Sequence, residues 1–201
     1  LYNEGLIYKD QALVNWDTKF KTAISDLEVV PTDVSTQIYY IKYPCSNSKT
    51  ITIATVRPET IFGDVAIAVN PEDSRYLSLK NETFTIPLTS RSIPLILDEY
   101  SDPEMGSGAV KITPAHDFND FEIGKRHNLE LLNILNDDGS LNENCPKEFQ
   151  GLDRFEARKK VVRLLKEKGF IEKIEDYKTT IPYGDRSNTC LLYTSPSPRD
   201  P

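Results

Sequence analysis

At 201 residues the chain has the length of one domain, or of one domain with flanking pieces, and can bury a sizeable core. Its 24 Lys and Arg stand against 31 Asp and Glu, a formal net charge of -7, which argues against a stand-alone binder of nucleic-acid backbone. That balance leaves room for a pocket that receives only the end of a strand delivered by something else.

Apolar residues make up 38% of the chain and no run is long enough to span a bilayer, so a soluble chain with no membrane partner is expected. Cys45, Cys145 and Cys190 are far apart and form no C-x-x-C pair, and the two histidines add no metal-ligand spacing. Neither a disulfide framework nor a metal site is expected, and the compartment reads as reducing and cytoplasmic, an organellar origin staying open.

In chain order, Leu1, Gly5, Leu6 and Tyr8 read as helix-like, and no signal peptide is recognisable ahead of them. Trp16 is expected to be a packing anchor, the commonest use of a lone indole. From Thr36 the period changes to two. Gln37 to Tyr43 and Thr50 to Val56 are β-branched and aromatic strands about a polar loop, a hairpin signature. Short strands follow at Asp64 to Val69, Phe84 to Leu88, Ser92 to Leu97 and Leu131 to Leu135, a rhythm that suggests a barrel or sandwich. Asp153 to Lys168 is the clearest helix, with Asp153 as cap and Glu156 at N3. Phe155, Val161, Val162 and Leu165 form its buried stripe, Gly169 its stop, and its Lys-rich outer face reads as solvated. Phe170 to Ile181 returns as strand. The tail from Cys190 holds three prolines and no periodicity, and is expected to be disordered or non-native.

Two polar clusters stand out. Gly106 to Asp120 reads as a glycine turn, a strand, a stop at Pro114 and the start of an amphipathic helix bearing Phe118, Phe121, Ile123 and Leu129. Strand alternation puts Lys111 and Thr113 on one face, with Val110 and Ile112 on the other. Asp117 and Asp120 sit three apart in the first turn, where the helix dipole favours carboxylates. The plain structural reading is an N-cap with a carboxylate at N3, a variant of the capping box, and His116 reads as a hydrogen-bonded structural residue. The second cluster, Thr55-Val56-Arg57-Pro58-Glu59-Thr60, places an alcohol and a guanidinium on one face of a strand end, and Arg suits phosphate or ribose oxygens.

Together, Thr-x-Arg-Pro-Glu-Thr at 55–60 and Gly-x-Gly-Ala-Val-Lys-x-Thr-Pro-Ala-His-Asp-x-x-Asp at 106–120 resemble the editing domains of class I aminoacyl-tRNA synthetases, of the valyl branch. Leu13 to Trp16 with Ser25 to Val29, Ala66 to Asp73, and Pro182 to Ser187 agree, in the family's order. The resemblance implies a mixed α/β, predominantly β, barrel-like editing domain with peripheral helices. It implies residues 1–30 as a stub of the synthetase catalytic body, 31–180 as the editing domain, 181–189 as the return segment and 190–201 as the tail. The family's synthetic signatures, His-x-Gly-His and Lys-Met-Ser-Lys-Ser, are absent, so ATP and Mg²⁺ would belong to a catalytic domain outside this sequence, and no cofactor is expected within it.

By the same resemblance the chain would hydrolyse threonine from mischarged valine tRNA, with the aminoacylated tRNA 3′ end and the rest of the synthetase chain as partners. Asp117 would hold the substrate's α-ammonium, Asp120 the threonine hydroxyl, and Lys111 and Thr113 would orient the ester and the attacking water. Arg57, Thr55 and Thr60 would bind the terminal adenosine and its phosphate, with His116 and Glu59 supporting them. An isoleucyl- or leucyl-type domain, or a non-catalytic module that binds the tRNA end, are the alternatives.

Overall fold

A computed structural model of the chain describes residues 1, 4, 6, 7, 12–45 and 49–194. The helix-like reading at the N-terminus lies largely outside them. The described strands are β1 (Val14–Asp17), β2 (Thr22–Ile24), β3 (Val29–Pro44), β4 (Thr50–Thr55), β5 (Ala66–Val69), β6 (Thr83–Thr85), β7 (Ser92–Leu97), β8 (Ala109–Ile112), β9 (Ile171–Gly184) and β10 (Leu192–Thr194). The α-helices are α1 (Phe118–Arg126) and α2 (Arg154–Glu167), and a buried 3₁₀ turn spans Pro58–Gly63.

The fold is mixed and predominantly β, as expected, but the barrel is not closed. The strands form three small sheets, in the orders β10-β1-β2, β4-β3-β9 and β6-β7-β5-β8. The second and third are stitched by one bridge, Cys45 to Phe84, and they enclose the core with α2. Closure would need a continuous ladder between sheets, and the strands of the third sheet, three to six residues long, end too soon to supply one.

The expected hairpin forms, with Tyr39 opposite Thr55 and Pro44 opposite Thr50. Strand β3 starts earlier than its alternation indicated, because Val29 to Ile41 pairs with β9 as a long, mostly exposed ribbon. The domain limits expected at 30/31 and 180/181 therefore fall inside continuous strands. The strand expected at Leu131 to Leu135 reduces to a single bridge, Leu135 to Leu141. Here the Asn133 carbonyl takes side chains instead, with Asn142 and Asn144 both donating to it.

The core takes Ile41, Tyr43, Ile51, Ile53, Ile67, Val69, Phe84 and Ile93 from the strands, and Ala157, Val161 and Leu165 from α2. Asp153 caps α2, accepting from the Phe155 and Glu156 amides. Phe155, expected in the buried stripe, is exposed, and Ala157 faces inward in its place. The helix packs on the Pro58–Gly63 turn, and a small side chain there allows close approach. Trp16 is an anchor as expected, nearly buried, with its indole N–H donating to the Asp137 carbonyl at 2.8 Å.

The tail differs from expectation at its start. Leu192–Thr194 pairs with β1, Trp16 opposite Leu192, because Leu191 and Leu192 are buried and only the residues from Ser195 on are proline-rich. Residues 195–201 lie outside those described.

Strand β5 positions the polar clusters. Its four residues are all buried: Ile67 and Val69 enter the main core, while Ala66 and Ala68 form a second cluster with Ile112 of β8 and Ile123 of α1. Alanines on that face let α1 lie close to the sheet. Gly124 makes the closest approach, where an added Cβ would stand 2.9 Å from Pro114.

Candidate functional site

Three elements converge: the end of β4 with the turn after it, the end of β8, and the N-terminus of α1. Thr55 is buried, and its Oγ1 accepts the Arg57 amide at 3.1 Å. Thr60 is buried too, donating its hydroxyl to the Arg57 carbonyl at 2.9 Å. Both hydroxyls are thus committed to shaping the turn around Arg57. Among the described residues the guanidinium of Arg57 donates one bond, to the His116 carbonyl at 3.0 Å, which fixes it beside the α1 N-terminus and leaves further donors for a ligand. Glu59 points away from the cluster and forms a two-pronged pair with Arg158 of α2 at 2.7 Å on each arm. That pair locks the turn to the helix behind it.

On β8 the alternation holds. The Lys111 ammonium donates to the Thr113 hydroxyl, so both side chains lie on one face. A residue that sequence reasoning passed over organises them. Asp64, fully buried, accepts from Lys111 Nζ and from Thr113 Oγ1 on Oδ1, each at 2.8 Å, and from the Tyr43 hydroxyl on Oδ2 at 2.7 Å. Arg91 braces the same corner, donating to the carbonyls of Phe62 and Asp64 at 2.7 and 2.6 Å. Burial, then the Asp64 charge, pushes the Tyr43 phenol well above its ordinary value, so it remains a donor. The available signal was a carboxylate directly ahead of an apolar strand, where burial demands partners. Gly63, just before it, passes so close to Thr113 that an added Cβ would lie 2.9 Å from the threonine methyl.

Asp117 is the N-cap of α1, its Oδ1 accepting from the Asn119 and Asp120 amides at 2.9 and 3.2 Å. Capping uses one carboxylate oxygen. The other has no hydrogen bond among the described residues, and Asp117 is only half-buried. Asp120 does not close a capping box. Its Oδ2 reaches back past the cap to the Thr113 amide at 2.8 Å. That bond ties α1 to β8, and the side chain is buried by it. Burial, then the Asp117 charge, raises the Asp120 carboxyl to about 7, against the opposing pull of Lys111.

His116 is buried between these elements, its Nε2 accepting the Ile134 amide at 3.0 Å. Its Nδ1 therefore carries the proton and donates to the Tyr193 carbonyl at 3.2 Å. Burial, then Arg57, drops its pKa to about 3, so the imidazole is neutral. With both nitrogens occupied it serves no base function in this geometry. Among the described residues no group of three or more His, Cys, Asp and Glu side chains is placed to hold a metal ion.

The arrangement therefore offers three carboxylates, Asp64, Asp117 and Asp120, against two cations, Lys111 and Arg57. With all five ionised it has an excess of one negative charge. Burial is the first cause of the raised Asp120 pKa and the neighbouring Asp117 charge the second, and a ligand bearing one positive charge would offset the second.

Comparison with known proteins bears on this geometry. The family described as the leucyl-tRNA synthetase editing domain matches residues 77–163. Over 192 residues, 95% of the chain, the sequence is 59% identical to a valine–tRNA ligase of Pelagibacter ubique, of which it covers 22%. It is 53% identical to that of Francisella tularensis and 52% identical to that of Bacillus subtilis, covering 21% and 22% of those proteins. The chain thus spans about a fifth of the length of the relatives it matches. A solved LeuRS–tRNA–LeuAMS complex from Agrobacterium radiobacter shares the fold with a TM-score of 0.53 at 18% identity, over 96% of this chain and 32% of that one.

Proposed function

We propose that this chain, which belongs to the editing-domain family of the class I aminoacyl-tRNA synthetases and aligns with their valyl branch, hydrolyses the ester of threonine misattached to valine tRNA. Threonine and valine are nearly isosteric, and a hydrophobic synthetic pocket rejects an added hydroxyl only weakly; the valyl enzyme is the general example of that limit, met by a second hydrolytic site. An editing site must reward the hydroxyl with a hydrogen bond and leave a buried polar group unpaired when valine occupies it.

One observation carries this reading: a buried carboxylate, Asp120, and a partly open one, Asp117, stand at the same helix start, beside a lysine–threonine pair held by Asp64. The free oxygen of Asp117 suits the α-ammonium of an aminoacyl ester, the single positive charge the site lacks. Asp120, with one oxygen on the Thr113 amide, has the other for the threonine hydroxyl. Lys111 and Thr113 flank the ester, where the ammonium stabilises the oxyanion that forms on attack and the threonine hydroxyl orients water. Arg57 takes the terminal ribose or its phosphate, while Thr55, Thr60 and Glu59 hold the turn that aims it.

Water is the nucleophile in this reading. His116 has no free nitrogen for a serine or cysteine partner, and the three cysteines, none of them in a disulfide, lie on elements other than these. The site works by positioning and charge rather than through a covalent intermediate.

The test is deacylation of Thr-tRNA for valine beside Val-tRNA and Ile-tRNA, by the chain and by Asp117→Ala and Asp120→Ala. Threonine release that vanishes in Asp117→Ala and loses its preference over valine in Asp120→Ala supports the assignment. An unchanged rate in Asp117→Ala removes that residue from its role. Faster release from Ile-tRNA than from Thr-tRNA moves the substrate to another branch.

A further inference from the structure

The cations of this acidic chain are unevenly placed. Helix α2 carries six, Arg154, Arg158, Lys159, Lys160, Arg163 and Lys166, against two carboxylates, Glu156 and Glu167, in a chain of net charge -7. Two of the six turn inward: Arg158 to Glu59, and Arg154 to the Cys190 carbonyl at 2.5 Å. The other four lie on the outer side. Lys160 is held over the Phe149 ring at 4.9 Å and near Glu148 at 3.9 Å. Among the described residues Arg163 pairs only with Glu167, at 3.8 Å and with both side chains exposed. Lys159 and Lys166 have no ion-pair partner among the described residues. An open depression of about 360 Å³ runs along this side, lined by Leu152, Glu156, Lys159, Lys160 and Arg163.

Helix electrostatics do not account for the placement. Cations near a helix C-terminus are favoured by the dipole, which covers Lys166 but not Lys159 or Lys160 in mid-helix. Lys159 and Arg163 are four apart, a like-charge spacing that costs helix stability. The location is informative too. Helix α2 packs directly on the Pro58–Gly63 turn, and the Glu59–Arg158 pair joins it to the residues flanking Arg57. Helix α2 thus backs the turn that carries Arg57, with its basic face on the outer side, in a chain whose residues outside the helix are net acidic.

We propose that the outer face of α2, centred on Lys159, Lys160 and Arg163, takes the sugar-phosphate backbone of the RNA whose 3′ end enters the site. This rests on the deacylase reading for the identity of the strand, and on charge complementarity for the surface. A local array of cations on this helix supplies the phosphate contacts that the net charge of the chain would otherwise deny. Lys and Arg used this way fix position and carry no base specificity.

The experiment measures binding of uncharged, labelled valine tRNA to the 201-residue chain between low and physiological salt, for the natural sequence and for Lys159→Gln/Arg163→Gln. Both positions are exposed, and thermal melts check that the fold is kept. The expected result is weaker binding with a shallower dependence of log K on log salt, by about 0.9 for each phosphate that the variant no longer neutralises. Equal affinity and equal slope in the two proteins overturn the proposal. So does an equal loss of hydrolysis on threonyl-adenosine, a single nucleoside without the rest of the strand, because it places the effect in the site. Stronger retention of poly-glutamate than of tRNA overturns it in favour of a surface for acidic protein. A chain that binds tRNA through this face and cleaves no ester keeps the surface and removes the deacylase reading alone.

Discussion

Asp120 and His116 titrate in opposite senses, and substituting Asp120 should expose a pH dependence that the natural chain conceals. Unfolded, the aspartate titrates near 3.8 and the histidine near 6.5; folded, the first is raised to about 7 and the second lowered to about 3. Between pH 4 and 6.5 the unfolded chain holds a proton on His116 and none on Asp120, while the folded chain holds the reverse. The proton counts match, so these two groups leave stability flat across that window. In Asp120→Asn the folded chain binds one proton fewer than the unfolded chain throughout it. Stability should then rise with pH by about 1.36 kcal/mol per unit, roughly 3 kcal/mol from pH 4 to 6.5. The histidine contribution is fully present above 6.5 and is lost as pH falls toward 3. The natural chain should instead weaken only between about pH 6.5 and 7, by less than about 1 kcal/mol, and then level off once Asp120 is ionised in both states. Urea denaturation followed by circular dichroism at half-unit pH intervals gives both curves. Asp73, Asp98 and Asp138, each held below the ordinary carboxylate range, contribute equally to both proteins and cancel in the difference. Parallel curves from pH 4 to 6.5 would refute the argument, because they would mean that Asp120 is ionised in the fold at acid pH.

Asp64→Asn presents one amide oxygen to three donors, those of Tyr43, Lys111 and Thr113, and leaves the lysine charge without its buried partner. A loss of roughly 3–5 kcal/mol is expected in denaturant unfolding, with ester hydrolysis lost in the fraction still folded. Normal hydrolysis at reduced stability would separate the network from the chemistry. Gly63→Ala drives a methyl into Thr113 and should cost about 1–3 kcal/mol, with hydrolysis falling further than binding of uncharged tRNA. Equal effects on the two would mean that the whole turn had moved.

How much of this was legible in the sequence depends on the range of the interaction that sets each feature. The β3–β4 hairpin, α2 and its Gly169 stop follow from local periodicity and turn chemistry, and each stands where the pattern put it. The pairing of Lys111 with Thr113 was equally local, since alternation alone brings them to one face. The ribbon of β3 with β9 joins residues far apart in sequence, and nothing within Val29 to Thr36 announces its partner. The Leu131 to Leu135 stretch has the composition of a strand but lacks a neighbour to ladder with, and composition does not report neighbours.

Asp64 shows the same division inside the site. Its importance comes from three donors contributed by β3, β8 and the residue just after β8, at sequence separations of 21, 47 and 49 residues. Asp117 was visible because a cap is a local device, and the structure keeps that plain role while leaving one carboxylate oxygen for a ligand. The two readings of Asp117 were therefore never exclusive. A helix start capped by a carboxylate already holds that group rigid beside the positive end of a dipole, and with Asp120 one turn further in and Asp64 behind Lys111, the same capping geometry becomes a receptor for a single cation.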